Sequence, residues 1–209
     1  EHVVIQPSRY SEFAFENNGY AYLRQLKRQI STRSEKVCVK IFFCTMILIE
    51  QAQPQILSSK AIIRFQDCDP YAHLNNGRYL DYFMNAREDQ VWEAYDFNVY
   101  EYSRTTGLGW VVSQNQIAYL RPALLMEEVT MESQMIESRP KFLRIEMRMF
   151  DTDRKLKSLL WVHLIHVDIR QGKSTPHSEE LQLLFDRMCM PVDESDFNER
   201  LRVLQAATT

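Results

Sequence analysis

Apolar and polar positions alternate most regularly between residues 142 and 150. Leu143, Ile145, Met147 and Met149 are separated there by Arg144, Glu146 and Arg148. A period of two is typical of an antiparallel strand with one buried face and one solvated face. The pattern therefore predicts a half-buried strand whose charged side chains face water.

Four other segments have strand-like patterns. They are residues 61–65, 110–120, 128–137 and 159–169. The third of these places Val129, Met131, Ser133 and Met135 on one face. Turn-forming residues such as Pro122 and Gly172 separate the segments, so we expect distinct strands joined by short connections.

Helical spacing appears in two places. In residues 77–95, Leu80, Phe83, Met84, Val91 and Ala94 recur at intervals that share a helix face. A shorter helix is predicted up to residue 188, with Ser178 as its N-cap.

The order of elements is a strand, a long helix, four strands and a short helix. Strands grouped after one helix favour an α+β fold in which an antiparallel sheet wraps around that helix. We expect this domain over residues 59–192. Residues 1–58 are interpreted as an N-terminal extension of unknown role, and residues 193–209 as a C-terminal tail.

Charge and composition argue against several classes of partner and cofactor. Residues 1–60 carry 8 Lys/Arg and 5 Asp/Glu, whereas residues 61–209 carry 17 and 23, so the predicted domain is acidic and nucleic acid is not expected as a partner. No apolar run reaches the roughly 18 residues that a membrane span needs. The 4 cysteines are scattered and form no metal-ligand spacing. We therefore expect a reduced, cytoplasmic protein without a metal or other cofactor.

Candidate chemistry concentrates between the first strand and the long helix. Asp67 and Asp69 are followed by His73, Asn75 and Asn76, which open the helix. Free N–H groups at a helix start form a partial positive pole, and a carboxylate facing such a pole suits acyl transfer. The alternative is structural, because Asp and Asn are also common in turns and at helix caps.

The same segment resembles a known family. The segments Arg64-Phe65-Gln66-Asp67-Cys68-Asp69-Pro70, His73-Leu74-Asn75-Asn76-Gly77-Arg78-Tyr79 and Tyr82-Phe83 resemble the hot-dog fold thioesterases of the 4-hydroxybenzoyl-CoA thioesterase group. The likeness continues through Ile117-Ala118-Tyr119 and covers about residues 60–190.

The resemblance implies roles for individual residues. Asp69 would be the catalytic carboxylate, acting as nucleophile or general base, and the Asn76 N–H at the helix start would polarise the thioester carbonyl. His73 would belong to the same catalytic site, whereas Asp67 would support the loop by accepting its backbone hydrogen bonds. Substrate contacts are expected from Tyr71, Asn75 and Ser113, the last facing the site of a partner subunit.

The resemblance also implies a substrate and an assembly. It indicates hydrolysis of acyl-CoA thioesters by a homodimer or a tetramer of dimers. An acyl-carrier-protein thioesterase and a non-catalytic acyl-binding protein are the alternatives, and a hydratase on the same fold fits less well. The sequence departs from the family pattern at Tyr71, where smaller residues are common, and at Ala72, where glycine is usual. If that glycine serves a positive φ, Ala72 is expected to be strained.

Overall fold

The computed structural model describes residues 54–207. The extension expected over residues 1–58 therefore falls outside the described residues, except for its last five. Three of those five already belong to the first strand, which begins at Ile56.

The described residues form one antiparallel sheet of six strands. Five strands lie in the order β1-β3-β4-β5-β2, and β6 pairs with β5. The strands are β1 (Ile56–Ile62), β2 (Leu108–Tyr119), β3 (Glu128–Arg139), β4 (Phe142–Phe150), β5 (Leu156–Asp168) and β6 (Lys173–Ser174). Each of the five long strands overlaps one predicted segment, although β1 shares only residues 61 and 62 with its segment.

Four α-helices accompany the sheet in the described part of the chain. They are α1 (Tyr79–Tyr95), α2 (Val99–Thr106), α3 (Glu179–Met188) and α4 (Phe197–Ala207). The main core lies between α1 and one face of the sheet, where Phe83 packs with residues of β3, β4 and β5. The α+β architecture with one long central helix is thus confirmed. No helix among residues 54–207 is long and apolar enough to cross a membrane.

The buried stripe of α1 differs from the predicted one. Tyr79, Phe83, Ala86 and Gln90 are buried, whereas Leu80, Met84, Val91 and Ala94 are only partly buried. Gln90 was overlooked because it is polar. Its amide is satisfied inside the core, donating to Ser59 Oγ at 2.8 Å and accepting from Ser133 Oγ. Ser133 therefore faces the helix, as its place in the strand pattern predicted.

Element ends and short elements were the least predictable. β1 lies earlier than the predicted residues 61–65, because the chain leaves the sheet after Ile62 and forms a 3₁₀ turn over Phe65–Asp67. Helix α2 was missed, although Asn98 caps its start and Gly107 ends it with φ +76°. Ser178 caps α3 as expected, its side chain accepting from the Leu181 N–H.

The outer face of β4 does not face water, contrary to the expectation of a half-buried strand. Helix α4, in the segment expected to be a tail, packs on this side through contacts such as Phe197 on Trp161. Glu146 is 0% exposed, and Arg200 of α4 binds it through two hydrogen bonds of 2.9 Å each. The alternation in β4 therefore separates two buried faces, one apolar and one ionic.

We predict that Arg200→Ala destabilises the fold by about 3–5 kcal/mol, because it leaves the buried Glu146 carboxylate without its main counter-charge. Chemical denaturation measures this change. Arg202→Ala on the exposed side of the same helix is the control and should shift stability by less than about 0.5 kcal/mol. Equal effects of the two substitutions would contradict an ionic attachment of α4.

Candidate active site

The loop between β1 and α1 is a short hairpin. The Asp69 N–H donates to the His73 carbonyl at 2.8 Å, and the Asn75 N–H donates to the Asp67 carbonyl at 2.9 Å. Between these bonds, Cys68 and Leu74 form an antiparallel bridge. Because side chains alternate across paired strands, Asp67, Asp69, His73 and Asn75 share the face opposite Cys68 and Leu74.

The inner face of this hairpin attaches it to the core. Leu74 is buried, and its N–H donates to the Ala123 carbonyl at 2.8 Å. Cys68 is partly buried beside the same core, and its thiol donates to the Arg64 carbonyl at 3.4 Å. The apolar pair fixes the hairpin, so its four polar side chains lie on the face away from Leu74.

The Asp69 carboxylate is held by its own loop. Oδ1 accepts from the Tyr71 N–H at 2.9 Å and from the His73 N–H at 3.1 Å. No described residue donates a hydrogen bond to Oδ2. One oxygen of this carboxylate is therefore anchored, and the other remains available to a substrate or a water molecule.

The Asp67 carboxylate is bound by two side chains at or just before the start of α1. Tyr82 donates its hydroxyl to Oδ2 at 3.0 Å, and Arg78 Nε lies 3.7 Å from Oδ1. These contacts reverse one expectation. Asp69, not Asp67, accepts backbone hydrogen bonds of the loop, whereas Asp67 lies against Tyr82 and Arg78. The reason is the hairpin register, which pairs Asp67 with Asn75 and Asp69 with His73.

Residues 75–78 form a turn that leads into α1, so Asn75 and Asn76 precede the helix and do not open it as expected. The Arg78 N–H donates to the Asn75 carbonyl at 2.8 Å, and the Gly77 N–H donates to Asn75 Oδ1 at 2.9 Å. The C=O and N–H of a trans peptide point in opposite directions. Since the Asn75 carbonyl points into the turn, the Asn76 N–H points out of it. It has no hydrogen-bond partner among the described residues.

His73 and Tyr71 lie beside Asp69 in different ways. The His73 backbone binds the Asp69 carboxylate, while its ring lies 6.4 Å from the ring of Tyr71. The ring makes no hydrogen bond to Asp69 in the described structure, so the two residues are neighbours without being an acid–base pair. Tyr71 is 79% exposed at the tip of the hairpin.

The structure does not bring Ser113 to this loop. Its hydroxyl donates to the His163 carbonyl at 3.2 Å on neighbouring β5. Tyr119 on the same strand does reach the loop, and six residues of strand separate the two by roughly 20 Å. Within one chain, Ser113 therefore lies apart from Asp69, His73 and Asn76.

A polar cleft of about 530 Å³ opens beside the helix start. It is lined by Gln66, Asp67, Cys68, Asn75, Gly77, Arg78 and Asp81. Arg78 bridges the two acids of the cleft, donating to Asp81 at 2.8 Å and lying close to Asp67. Within residues 54–207 no group of His, Cys, Asp and Glu is placed to hold a metal ion.

Three tyrosines that hydrogen-bond to the loop or to its surroundings were not predicted as site residues. Tyr82 binds Asp67, Tyr79 accepts the Ala123 N–H through its hydroxyl at 3.1 Å, and Tyr119 donates to the Asn76 carbonyl at 3.0 Å. The resemblance had already included all three positions. Their roles depend on tertiary contacts, which the spacing of tyrosines does not reveal.

An antiparallel sheet around one long helix, with a carboxylate hairpin at the start of that helix, defines a hot-dog domain. A family model, that of the Thioesterase-like superfamily, matches residues 63–185. This match covers more than half of the chain, so the chain belongs to the Thioesterase-like superfamily. The family and enzyme class expected from the sequence agree with it.

A curated relative that matches part of the chain is a thioesterase. The long-chain acyl-CoA thioesterase FadM of Escherichia coli (strain K12) is 33% identical over 73 residues, which make up 35% of this chain and 53% of that relative. The chain thus matches about half the length of this curated relative.

Solved structures share the fold at lower identity. A probable thioesterase of Escherichia coli, YbaW, has a TM-score of 0.56 at 21% identity and covers 64% of this chain and 99% of its own. A hypothetical protein from Staphylococcus aureus, solved in complex with CoA, has a TM-score of 0.60 at 13% identity, covering 71% of this chain and 94% of its own. These likenesses confirm the predicted hot-dog fold.

Ala72 has the left-handed conformation expected of the glycine it replaces, with φ +59°. We predict that Ala72→Gly raises the free energy of unfolding by up to about 1 kcal/mol, because glycine has no Cβ to strain at this φ. Thermal and chemical denaturation measure the change. Ala94→Gly within α1 is the control for added chain entropy and should lower stability by about 0.5–1 kcal/mol. A loss of stability in both variants would contradict strain at Ala72.

Proposed function

We propose that this protein hydrolyses acyl-CoA thioesters to a free acid and CoA, using Asp69 and the Asn76 N–H. The observation that carries the proposal is the outward Asn76 N–H, which has no hydrogen-bond partner among the described residues, on the same loop as a carboxylate with one free oxygen. An N–H held in a fixed turn stabilises negative charge on a carbonyl oxygen as the carbon becomes tetrahedral. His73 lies beside Asp69 in the same loop, and its backbone N–H donates a hydrogen bond to the Asp69 carboxylate.

The reaction needs few protein groups. In the general-base route, Asp69 takes a proton from water while the water oxygen bonds to the thioester carbon, and the carbonyl electrons move to the oxygen held by Asn76. Collapse of this intermediate breaks the carbon–sulfur bond and releases the thiolate of CoA. In the nucleophilic route, the Asp69 carboxylate attacks the thioester carbon, the carbon–sulfur bond breaks to release the CoA thiolate, and water then hydrolyses the resulting anhydride. A thiolate leaves without strong acid assistance, so the absence of a hydrogen bond from the His73 ring to Asp69 is compatible with both routes.

The acyl-CoA substrate is supported by two relatives. One similar protein is named as a long-chain acyl-CoA thioesterase, and a structural neighbour was solved with CoA. Tyr71 and Asn75 flank the two proposed catalytic groups and are suited to contact the bound thioester. An acyl-carrier-protein thioester remains the alternative substrate, and a non-catalytic acyl-binding protein the alternative class. The cytoplasmic location expected from the cysteine pattern stays a prediction.

We predict that Asp69→Asn lowers kcat by about 10²–10⁴, because the amide keeps the Oδ1 hydrogen bonds but removes the nucleophile or base. Release of thiol from short, long and aromatic acyl-CoAs measures the rate, and the same panel carried on acyl-carrier protein decides the carrier. Asp67→Asn is the matched control. It keeps an acceptor for Tyr82 but removes the charge beside Arg78, so it should change stability more than rate.

The outcomes of this experiment separate the alternatives. Near-native turnover by Asp69→Asn on every substrate of the wild type would refute the assignment. Acyl-CoA binding without turnover by the wild type would favour the acyl-binding protein. A loss of turnover in Asp67→Asn with unchanged stability would transfer the catalytic role to Asp67.

The assembly proposed with this function is a homodimer, or a tetramer of dimers, joined through β2. Among the described residues β2 ends the sheet, and Val111 and Val112 are 48% and 45% exposed on it. An open strand edge offers unpaired N–H and C=O groups to a second copy. Ser113, Gln114 and Asn115 on the same strand would then face the partner's site. Ser113 would thereby contact substrate in the partner's site, although it lies far from the loop of its own chain.

We predict that replacing both Val111 and Val112 by Lys converts the dimer to monomer, because charged side chains on an edge strand oppose strand addition. Sedimentation at micromolar concentration measures the change. Ile56→Lys, on the strand at the opposite end of the described sheet, should leave the dimer intact. A monomeric wild type, or dissociation by Ile56→Lys alone, would contradict pairing through β2.

A further inference from the structure

The connection between β2 and β3 holds the site loop by several backbone contacts. The Leu74 N–H donates to the Ala123 carbonyl, and the Leu125 N–H donates to the Ala72 carbonyl at 2.9 Å. His73 also forms an antiparallel bridge with Leu124. All of these contacts involve residues 72–74, which precede the turn at residues 75–78. The turn itself is contacted by Tyr119, at the end of β2.

Tyr119 is the last residue of β2, and its hydroxyl donates to the Asn76 carbonyl at 3.0 Å. Its ring packs edge-on against the buried ring of Tyr79, with centroids 5.0 Å apart. Partial burial raises the pKa of Tyr119 above that of a free phenol, so the hydroxyl is protonated and can donate near neutral pH. The contact with the Tyr79 ring restrains the Tyr119 side chain, and the Tyr119 hydroxyl restrains the Asn76 backbone.

Asn76 is flanked by two peptide planes, and each has its own restraint. The plane between Asn75 and Asn76 is held by the Arg78 N–H on the Asn75 carbonyl. The plane between Asn76 and Gly77 is held at its N–H by Asn75 Oδ1 and at its carbonyl by Tyr119. With both planes fixed, the backbone dihedral angles of Asn76 are fixed as well, and so is the direction of its N–H.

We infer that Tyr119 is a positioning residue for thioester hydrolysis, acting through the Asn76 peptide to aim the N–H that stabilises the oxyanion. The inference rests on the proposed function for its catalytic consequence. Tyr119 touches neither reacting atom. It acts by reducing the motion of a donor, and a donor that must reorient during the reaction stabilises the transition state less well.

Tyr119→Phe tests the inference, because it keeps the ring on Tyr79 and removes only the donor. We expect kcat to fall by about tenfold, the effect of weakening one hydrogen bond, with KM changed by less than about twofold. Tyr100→Phe is the matched control. The Tyr100 hydroxyl bonds Glu88 at 2.8 Å on the protein surface, and its removal should leave kcat unchanged.

A second substitution separates positioning from a structural effect. Asn76 occupies the second position of the turn at residues 75–78, and Gly77 has no positive φ. Proline is favoured at that position of such a turn, so Asn76→Pro keeps the turn and deletes the N–H. We expect it to lower kcat by about 10²–10³, whereas Asn76→Ala keeps the N–H and should retain most of the rate.

The double variant gives the decisive measurement. If Tyr119 acts through the Asn76 N–H, Tyr119→Phe should have no further effect on kcat in the Asn76→Pro background. A tenfold loss that persists in that background would overturn the inference. Native turnover by Tyr119→Phe would overturn it too, while leaving the proposed function intact. Full activity of Asn76→Pro would instead contradict the oxyanion role in the proposed function.

Amide hydrogen exchange provides a readout that does not require activity. The Gly77 N–H shares its peptide plane with the carbonyl that Tyr119 binds. Tyr119→Phe should therefore speed exchange at Gly77 by at least about threefold, whereas Tyr100→Phe should not. Unchanged exchange at Gly77 would show that Tyr119 does not hold this turn, whatever the substrate of the protein proves to be.

Discussion

The attachment of Leu74 to the core is the contact on which the site depends. The loop that carries the candidate chemistry is polar and largely exposed, so it has little apolar surface with which to fold on its own. Leu74 supplies one buried side chain, and its N–H binds the Ala123 carbonyl. Since side chains alternate along the hairpin, burial of this single residue places Asp67, Asp69, His73 and Asn75 on the opposite face.

Two neighbouring carboxylates acquire different environments from that one constraint. The register places Asp67 against the start of α1, where Tyr82 and Arg78 occupy its oxygens. Asp69 lies near the hairpin tip, where backbone N–H groups hold one oxygen and leave the other open. Composition cannot distinguish two aspartates that are two residues apart. The hairpin does distinguish them, because its register pairs Asp67 with Asn75 and Asp69 with His73.

Much of the fold could be predicted from the chain, because period-two alternation and helical spacing are local properties. Residues 142–150 became β4 without any change of bounds. Helix α4 could not be predicted, since its attachment depends on Arg200 meeting Glu146, which lies 54 residues away in sequence. The same limit applies to the site. The motif identified the loop and its residues, but it suggested the wrong backbone acceptor, and it gave no role to Tyr119, whose contact with Asn76 spans 43 residues.

Cys68 gives the site loop a chemical property that neither aspartate has. Cys68 stands between Asp67 and Asp69 in the sequence and packs against the core, and burial together with the charges of these two aspartates raises the pKa of its thiol. A thiol reacts with oxidants and electrophiles as its thiolate, and this environment keeps the thiolate scarce. The Cys68 thiol is therefore expected to react more slowly with oxidants and thiol-directed reagents than an unperturbed thiol would.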